Sequence, residues 1–531
     1  MSHNKPSQSY AQQRYDPRIA EMKQLLQQRQ YQRVIERCES ILTQEPHSSA
    51  LALLLNQAYQ ANGQFEQMLS HCESLLEIDS ESVVLKLRHV ECLLYCGETA
   101  QALSELDELA RCADDNLQLL NKLAELYLSC TRYDKVADCH RKVLSLAPDN
   151  PQYQYNLASS RLFLGDIDQA KILLDSVIEQ SPQDFDAYYA RVSLGKQTNT
   201  NNHIDLLKQR YQQYQHIPAA RICLGYSLAK VLEDIGSYQQ SFNYLTQAAE
   251  ARRAQLAYQV QNDVTAMQHI IDTFSETAVS QIASVESSAK PVFILGLPRT
   301  GSTLVERILS SHDQLSSIGE SNHLVFSLLH CVGPNVGKLD LITQSIGIDF
   351  KLLAQYYQKA IAGYGMPTQL VIDKTPTNFL YLGLIRLAFP NAKVIHIQRH
   401  PMDSCYAIYK TLFRMGYPYS YDLSDLGHYY FAYRRLMAHW RKLFGDYILD
   451  VDYQALVNNP EPETRRILDY CELDWQPSVL NFTANKTATA TASAAQVRQP
   501  IYTSSVARWR CYETQLMPLY EQLTEAGIHC D

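Results

Sequence analysis

Residues 291–312 read PVFILGLPRTGSTLVERILSSH. Val292 to Leu295 is a short apolar run of the kind that forms a buried strand, and LVERILSSH spaces its apolar residues as a helix does. Between them lies a loop bounded by Gly296 and Gly301. Strand, glycine-bounded loop and helix make a cradle for an oxyanion. Glycine lets the backbone approach closely, and the first helical turn offers free N–H groups and the positive end of its dipole. This stretch predicts a layered α/β domain. Working toward the carboxy terminus, LVID at 370–373, KVIHI at 393–397 and DYILDV at 446–451 extend it as further strands of a parallel sheet, with helical segments between them.

The loop chemistry narrows the ligand. A nucleoside triphosphatase loop has the pattern G-x-x-x-x-G-K-[ST], whose lysine serves the β- and γ-phosphates. Gly296 and Gly301 keep the glycine spacing, but Ser302 stands where the lysine belongs. That argues against triphosphate chemistry, as does the lack of a strand-ending Asp for magnesium apart from Asp373. Arg299 offers instead a planar, permanently charged fork for an oxyanion.

Toward the amino terminus the chain repeats itself. Pro46, Ser80, Asp114, Pro148 and Pro182 recur every 34 residues, and Gly63, Gly97, Thr131 and Gly165 run in phase with them. Leu123, Ala124 and Tyr127 in one unit, and Leu157, Ala158, Ala170 and Leu174 in the next, supply small and large apolar positions. Each unit reads as two amphipathic helices with a tight turn at the glycine, and such a pair buries its apolar face only by stacking on its neighbours. The phase holds for about five units. A less regular pair follows near 218–250, a further helix is expected over 251–275, and the Ser/Ala-rich stretch 278–290 reads as the linker. The expected domains are therefore 15–277 and 290–531.

Composition sets limits. The 531 residues are 46% hydrophobic and 19% charged, an ordinary globular balance, and the net charge of −9 argues against a general nucleic-acid or polyanion binder while allowing a local basic pocket. The amino terminus shows no apolar signal region, and the apolar runs are far short of a membrane span. Thirteen cysteines without a CxxC pair fit free thiols in a reducing compartment, so a cytoplasmic location without membrane attachment is expected. Cys92 and Cys96 read as packing residues on one helix face rather than as metal ligands.

The motifs carry a resemblance. The 34-residue units resemble the tetratricopeptide repeat. PRTGST with its strand and helix resembles the 5′-phosphosulfate loop of sulfotransferases, and KVIHIQRHPMDSCYAIYKTLF their 3′-phosphate segment. Residues 290 to 515 are most similar to the tyrosylprotein sulfotransferase group and its bacterial relatives fused to tetratricopeptide arrays. The resemblance implies an all-α tetratricopeptide solenoid followed by a P-loop-like α/β sulfotransferase domain with a central parallel sheet. It also implies 3′-phosphoadenosine 5′-phosphosulfate as donor, with no metal required. By the same resemblance Pro298, Arg299, Thr300, Gly301, Ser302 and Thr303 hold the 5′ end of the donor, Arg399 its 3′-phosphate, and Tyr453 and Arg508 the nucleotide. Glu320 stands at the position of the catalytic base, Lys374 at that of the lysine on the sulfuryl group, and Ser493 at that of a serine near the transferred group. One position departs: the family's second 3′-phosphate ligand, a serine, is Ala407 here, with Ser404 about one helical turn earlier.

Sulfuryl transfer moves SO3 between oxygens while the leaving phosphate gains charge. Fixed donors such as Arg299 and Lys374 would stabilise that charge, and a carboxylate would take the acceptor proton. His323 is an alternative base, and His312, expected on the helix after the loop, reads as packing or capping. Lys374 and Arg399 each follow an apolar strand directly, where α/β folds collect ligands. Protein tyrosine is the favoured acceptor by likeness, with a peptide or protein held by the array. A carbohydrate or small phenol, a nucleotide kinase or ATPase, and a non-catalytic scaffold are the alternatives.

Overall fold

The computed structural model describes residues 16–530 except 46–47, 284, 286–288, 334–335, 367, 369 and 415. The repeat marker Pro46, part of the expected linker, and the domain ends at Tyr15 and Asp531 lie outside the described residues. Among the described residues no helix is long and apolar enough to cross a membrane.

The 34-residue period becomes five helix pairs: Pro17–Gln27 (α1) with Tyr31–Gln44 (α2), Ser49–Asn62 (α3) with Phe65–Ile78 (α4), Val83–Tyr95 (α5) with Thr99–Arg111 (α6), Leu117–Ser129 (α7) with Tyr133–Leu146 (α8), and Pro151–Leu164 (α9) with Ile167–Gln180 (α10). The turn inside each pair needs a left-handed residue. Gly63, Gly97 and Gly165 supply it at φ of 76°, 73° and 88°, and Thr131 is held there at 55°. Arg29, at φ 58°, is one period before Gly63 and extends the register to the first pair, where no glycine signals it. Cys92 and Cys96 are both buried, with their thiols on the carbonyls of Met68 and Phe65.

Phe185–Ser193 (α11) and Ile204–Tyr214 (α12) follow, then Pro218–Asp234 (α13) and Tyr238–Arg253 (α14), the less regular pair. The helix expected over 251–275 is broken: α14 ends at Arg253, and Val260–Thr273 (α15) forms a separate helix. The stretch 278–290 joins the two regions and is packed where it is described. Glu276–Ser280 (α16) enters it, and Val279, Ile282, Val285 and Ala289 pack on a core shared by the later array helices and the α/β domain. Those four apolar side chains anchor the described part of the connection.

The α/β domain holds a five-stranded, all-parallel sheet: Val292–Gly296 (β1), Leu315–Ser317 (β2), Leu370–Asp373 (β3), Lys393–Gln398 (β4) and Ile448–Asp452 (β5), in the order β2-β3-β1-β4-β5. Three residues of β2 are too few to show a period, and the sequence does not announce it. β5 starts at Ile448 rather than 446, because Gly445–Tyr447 forms a tight turn with the Tyr447 hydroxyl on the Phe389 carbonyl. One sheet face packs on the core shared with the array; the other holds Val292, Ile294, Val305, Ile395 and Leu456. The helix after the loop, Ser302–Leu309 (α17), ends before His312. His312 sits in the following turn, buried, with Nε2 2.9 Å from the Asp474 carbonyl and Nδ1 accepting from the Gln314 N–H, so its role is packing and capping.

Candidate active site

A parallel sheet puts every strand's carboxyl end on one edge, where backbone N–H groups, helix starts and loop side chains converge. Here each of the five strands is followed at that edge by a residue singled out above: β1 by the glycine-bounded loop, β2 by Glu320, β3 by Lys374, β4 by Arg399 and β5 by Tyr453.

The loop needs its glycines for space as well as conformation. A Cβ at Gly296 would lie 2.7 Å from the Ile397 carbonyl, and one at Gly301 would lie 2.4 Å from the Tyr453 ring. Arg299 takes a left-handed φ of 66°, a state uncommon for a residue that carries a Cβ, so the fold constrains the loop at this point. Thr300 steadies the loop by donating to the Leu297 carbonyl at 2.7 Å. Ser302 and Thr303 open α17, both buried.

Arg299 and Arg399 lie side by side. Arg399 Nη1 donates to the Arg299 carbonyl at 3.1 Å and Nη2 to the Ser505 carbonyl at 2.6 Å, while its guanidinium carbon stands 4.9 Å from the Tyr453 ring centre. The Tyr453 hydroxyl meets Ser505 Oγ at 3.0 Å. Arg299 Nη1 donates to Ser493 Oγ at 2.5 Å and Nη2 to Gln496 Oε1 at 2.9 Å. The Nε of both arginines is buried without an acceptor. Burial, and secondarily the Arg399 charge, pull the Arg299 pKa below its ordinary value. Two adjacent guanidiniums held by neutral oxygens form a site that favours an anion.

Lys374 and Glu320 make the other half. The Ile318 N–H donates to the Ile372 carbonyl at 3.0 Å and the Lys374 N–H to the Gly319 carbonyl at 2.9 Å, extending the β2–β3 pairing and fixing the two side chains together. Lys374 Nζ donates to Glu320 Oε1 and lies 3.7 Å from Glu306 Oε2. Burial would depress the Lys374 pKa, but the Glu306 and Glu320 carboxylates outweigh it and hold the ammonium above its usual value. The Lys374 side chain is 1% exposed and that of Glu320 44%, so the carboxylate opens outward and the ammonium stands behind it.

Beneath them Asp373 is buried and accepts from four side chains: Thr375 at 2.7 Å, Ser321 at 2.9 Å, Tyr357 at 3.0 Å and Asn378 at 3.3 Å. Burial still raises its pKa to about 6. With its oxygens occupied by these donors, Asp373 braces the turns carrying Glu320 and Lys374 and does not present a free carboxylate to magnesium. His323 is 8% exposed, its Nε2 lies 2.8 Å from the Tyr364 hydroxyl, and burial lowers its pKa to about 4.

Glu320 faces a cavity of about 1100 Å³ between the sheet edge and the array. The first helices of successive pairs wall it, through Gln60 of α3, Leu94 of α5, Leu126 of α7 and Leu164 of α9. Tyr95, Tyr133, Phe326 and Tyr364 add aromatic surface. The Tyr133 hydroxyl reaches to 4.0 Å from the place a Gly319 Cβ would occupy.

Other residues sit differently from the expected arrangement. Arg508 donates to the Tyr238 hydroxyl at 3.3 Å and lies 3.6 Å from Glu233, both on the array, and makes no hydrogen bond to the loop among the described residues. Pro298 is buried in the loop and the Ala407 side chain is buried in its helix. Ser404 donates to the Arg399 carbonyl at 3.2 Å, so it supports the turn that carries that arginine. Sequence reasoning missed Glu306, which accepts from Ser317 Oγ at 2.6 Å and flanks Lys374. Its signal was position, three residues after Thr303 on the same face of α17. Gln496, Ser505 and Tyr133 had no such signal.

Residues 291–477 match the model of the sulfotransferase family, and residues 151–184 that of the tetratricopeptide repeat. An uncharacterized protein of Aquifex aeolicus (strain VF5) is 33% identical over 404 residues, 74% of this chain and 52% of that protein. The protein-tyrosine sulfotransferase of Drosophila melanogaster is 25% identical over 242 residues, 41% of this chain and 46% of that protein. The chain thus spans about half the length of these curated relatives. Among solved structures, the sulfotransferase domain from the Synechococcus PCC 7002 olefin synthase aligns with a TM-score of 0.32 and 20% identity, over 46% of this chain and 98% of that one. The chain joins a tetratricopeptide array to a sulfotransferase-family domain.

Proposed function

We propose that the protein transfers the sulfuryl group of 3′-phosphoadenosine 5′-phosphosulfate to an acceptor hydroxyl that enters the cavity beneath the array. The observation that carries the reading is the convergence at the sheet edge. A glycine-bounded loop and two adjacent arginines at β1 and β4 lie beside a carboxylate and a buried ammonium at β2 and β3. The donor is a substrate with two anionic ends. The loop, Arg299 and Ser493 suit the phosphosulfate, and Arg399 and Tyr453 suit the 3′-phosphate side, because the buried Nε atoms of both arginines still lack an acceptor.

In this mechanism the acceptor hydroxyl gives its proton to Glu320 as its oxygen bonds to sulfur. The bond from sulfur to the 5′-phosphate oxygen breaks, and the electron pair stays on that oxygen. Lys374, Arg299 and the loop N–H groups stabilise the growing charge. Lys374 turns from Glu320 toward the sulfuryl oxygens while Glu306 remains its counter-charge, so a buried ammonium is never left alone. Glu320 is the better base than His323, whose low pKa and Tyr364 contact make it a weak proton acceptor.

Protein tyrosine is the favoured acceptor. Four aromatic side chains in the cavity wall suit a phenol ring, and the repeat helices give the cavity a long second wall for an extended peptide. Incubating the full chain with labelled donor, a tyrosine-peptide library and a glycan panel tests this. Label on peptide tyrosine is the expected result. Label only on glycans would remove the acceptor assignment, and no transfer to any hydroxyl would remove the activity.

A further inference from the structure

The donor half is completed by a loop that the helical array holds in place. We propose that the turn closing α9, Phe163–Gly165, is a positioning element for the donor site, acting through Arg498 and the 485–499 loop. The inference rests on the donor reading above.

A helix leaves its last four carbonyls without partners inside the helix. At the end of α9 the Arg161 carbonyl takes the Asp166 N–H at 2.8 Å and the Leu162 carbonyl takes the Gly165 N–H at 3.0 Å. The Phe163 carbonyl turns instead to the catalytic domain. It accepts from the Thr489 N–H at 2.9 Å and from Arg498 Nη2 at 2.9 Å. A guanidinium suits this place, where the helix dipole ends negative. Gly165 makes the room: a Cβ there would lie 2.4 Å from the Arg498 guanidinium carbon.

Arg498 Nη2 also reaches the Thr487 carbonyl at 3.4 Å, and that carbonyl accepts from Arg307 of α17 as well. The loop is therefore pinned at Thr487, Thr489 and Arg498, to the array turn on one side and to the helix of the phosphate cradle on the other. Ser493 and Gln496 lie between those pins and hold both terminal nitrogens of Arg299. The contact path runs from Gly165 through Arg498 and the loop to Arg299 without a gap.

The same carbonyl position docks elsewhere in the array. Two periods earlier, the Tyr95 carbonyl lies 2.9 Å from His330 Nε2, and a Cβ on Gly97 would lie 3.4 Å from Ala360 Cβ. The array thus grips the catalytic domain through its left-handed turns, and the turn of the fifth pair grips the segment that reaches Arg299.

Arg498→Met keeps the stem and removes the hydrogen bonds; Gly165→Ala adds one methyl group. Each is made in the full chain, followed by binding of 3′-phosphoadenosine 5′-phosphate, acceptor KM, thermal melting and amide exchange over 485–499. In Arg498→Met, nucleotide affinity should fall and loop exchange should rise, each by about tenfold or more, with acceptor KM within about twofold and melting within about 2 °C of the parent. Arg498→Lys should recover part of the affinity, and Gly165→Ala, strained at φ 88° in either background, should cost clearly less affinity in the Arg498→Met background than in the parent. Unchanged loop exchange, additive losses in the double variant, or loss of affinity that merely follows a lowered melting temperature would overturn the proposal. If the parent binds no such nucleotide, the donor reading fails and this proposal falls with it, whereas a parent that binds while the variants leave affinity and loop exchange unchanged overturns the positioning role alone.

Discussion

The two halves of the site handle charge in opposite ways. Around Glu320 the protein supplies both signs itself: Lys374 stands between two carboxylates, and the group facing the cavity is already paired. Around the loop it supplies one sign. Arg299 and Arg399 rest on carbonyl, hydroxyl and amide oxygens, and no carboxylate pairs with either among the described residues. A self-neutralised half suits proton transfer to and from a neutral acceptor. A half with uncompensated cations is completed by an anionic ligand, and it should govern affinity where the other governs rate.

The largest effect that could break this division is on rate. Glu320→Gln should lower kcat by about 10²–10⁴-fold while donor binding stays near the parent's, because Lys374 keeps Glu306. Single-turnover transfer with labelled donor checks it, and equal loss in both parameters would erase the division.

Next comes stability. The Asp373 carboxyl beneath the paired half is raised to about 6, above an unfolded value near 3.9. Between those values the folded protein holds more protons than the unfolded chain. The contribution of this group is therefore fully present below about pH 4 and lost as pH rises through 6, by about 3 kcal/mol. Buried His323, lowered to about 4, imposes the opposite slope on any variant that keeps it, so the difference in denaturant midpoint between the parent and Asp373→Asn should carry the Asp373 slope between pH 4 and 7; a pH-independent difference would remove Asp373 as its source. The arginine half contributes no titration in that range.

Arg399→Ala should weaken the donor by about 10- to 100-fold with little change in kcat, and most of the preference for a 3′-phosphorylated donor should go with it. Competition by nucleotides with and without the 3′-phosphate measures this. The smallest effect belongs to the array wall. Tyr133→Leu should raise acceptor KM by about threefold and leave donor KM alone, since one aromatic contact contributes about 0.5–1.5 kcal/mol. A change in donor KM instead would move Tyr133 to the other half.

Much of this architecture was legible because its signals are local. A 34-residue period needs only spacing, and Gly63, Gly97 and Gly165 mark turns that any stacked helix pair requires. Lys374 and Arg399 could be singled out because each follows an apolar run, and a strand end is a place that sequence can point to. β2 escaped notice at three residues, and Arg29 and Thr131 take a left-handed conformation that their side chains do not favour. Arg508 was assigned to the nucleotide by likeness, yet Tyr238 and Glu233 of the array engage it. No local pattern shows which distant carboxylate will claim an arginine.

The sequence alone determined the two-part plan, the parallel strands and the loop whose fork-bearing residue replaces a triphosphatase lysine, since propensity, period and spacing are properties of neighbours along the chain. Tertiary structure decided what those parts meet. It set Arg399 against a carbonyl 100 residues away, Glu306 beside Lys374, and two of the array's left-handed turns against the α/β domain. The reason is physical: parallel strands adjacent in space are far apart in sequence, so the contacts at their ends depend on how whole elements pack, and no short stretch of residues encodes that.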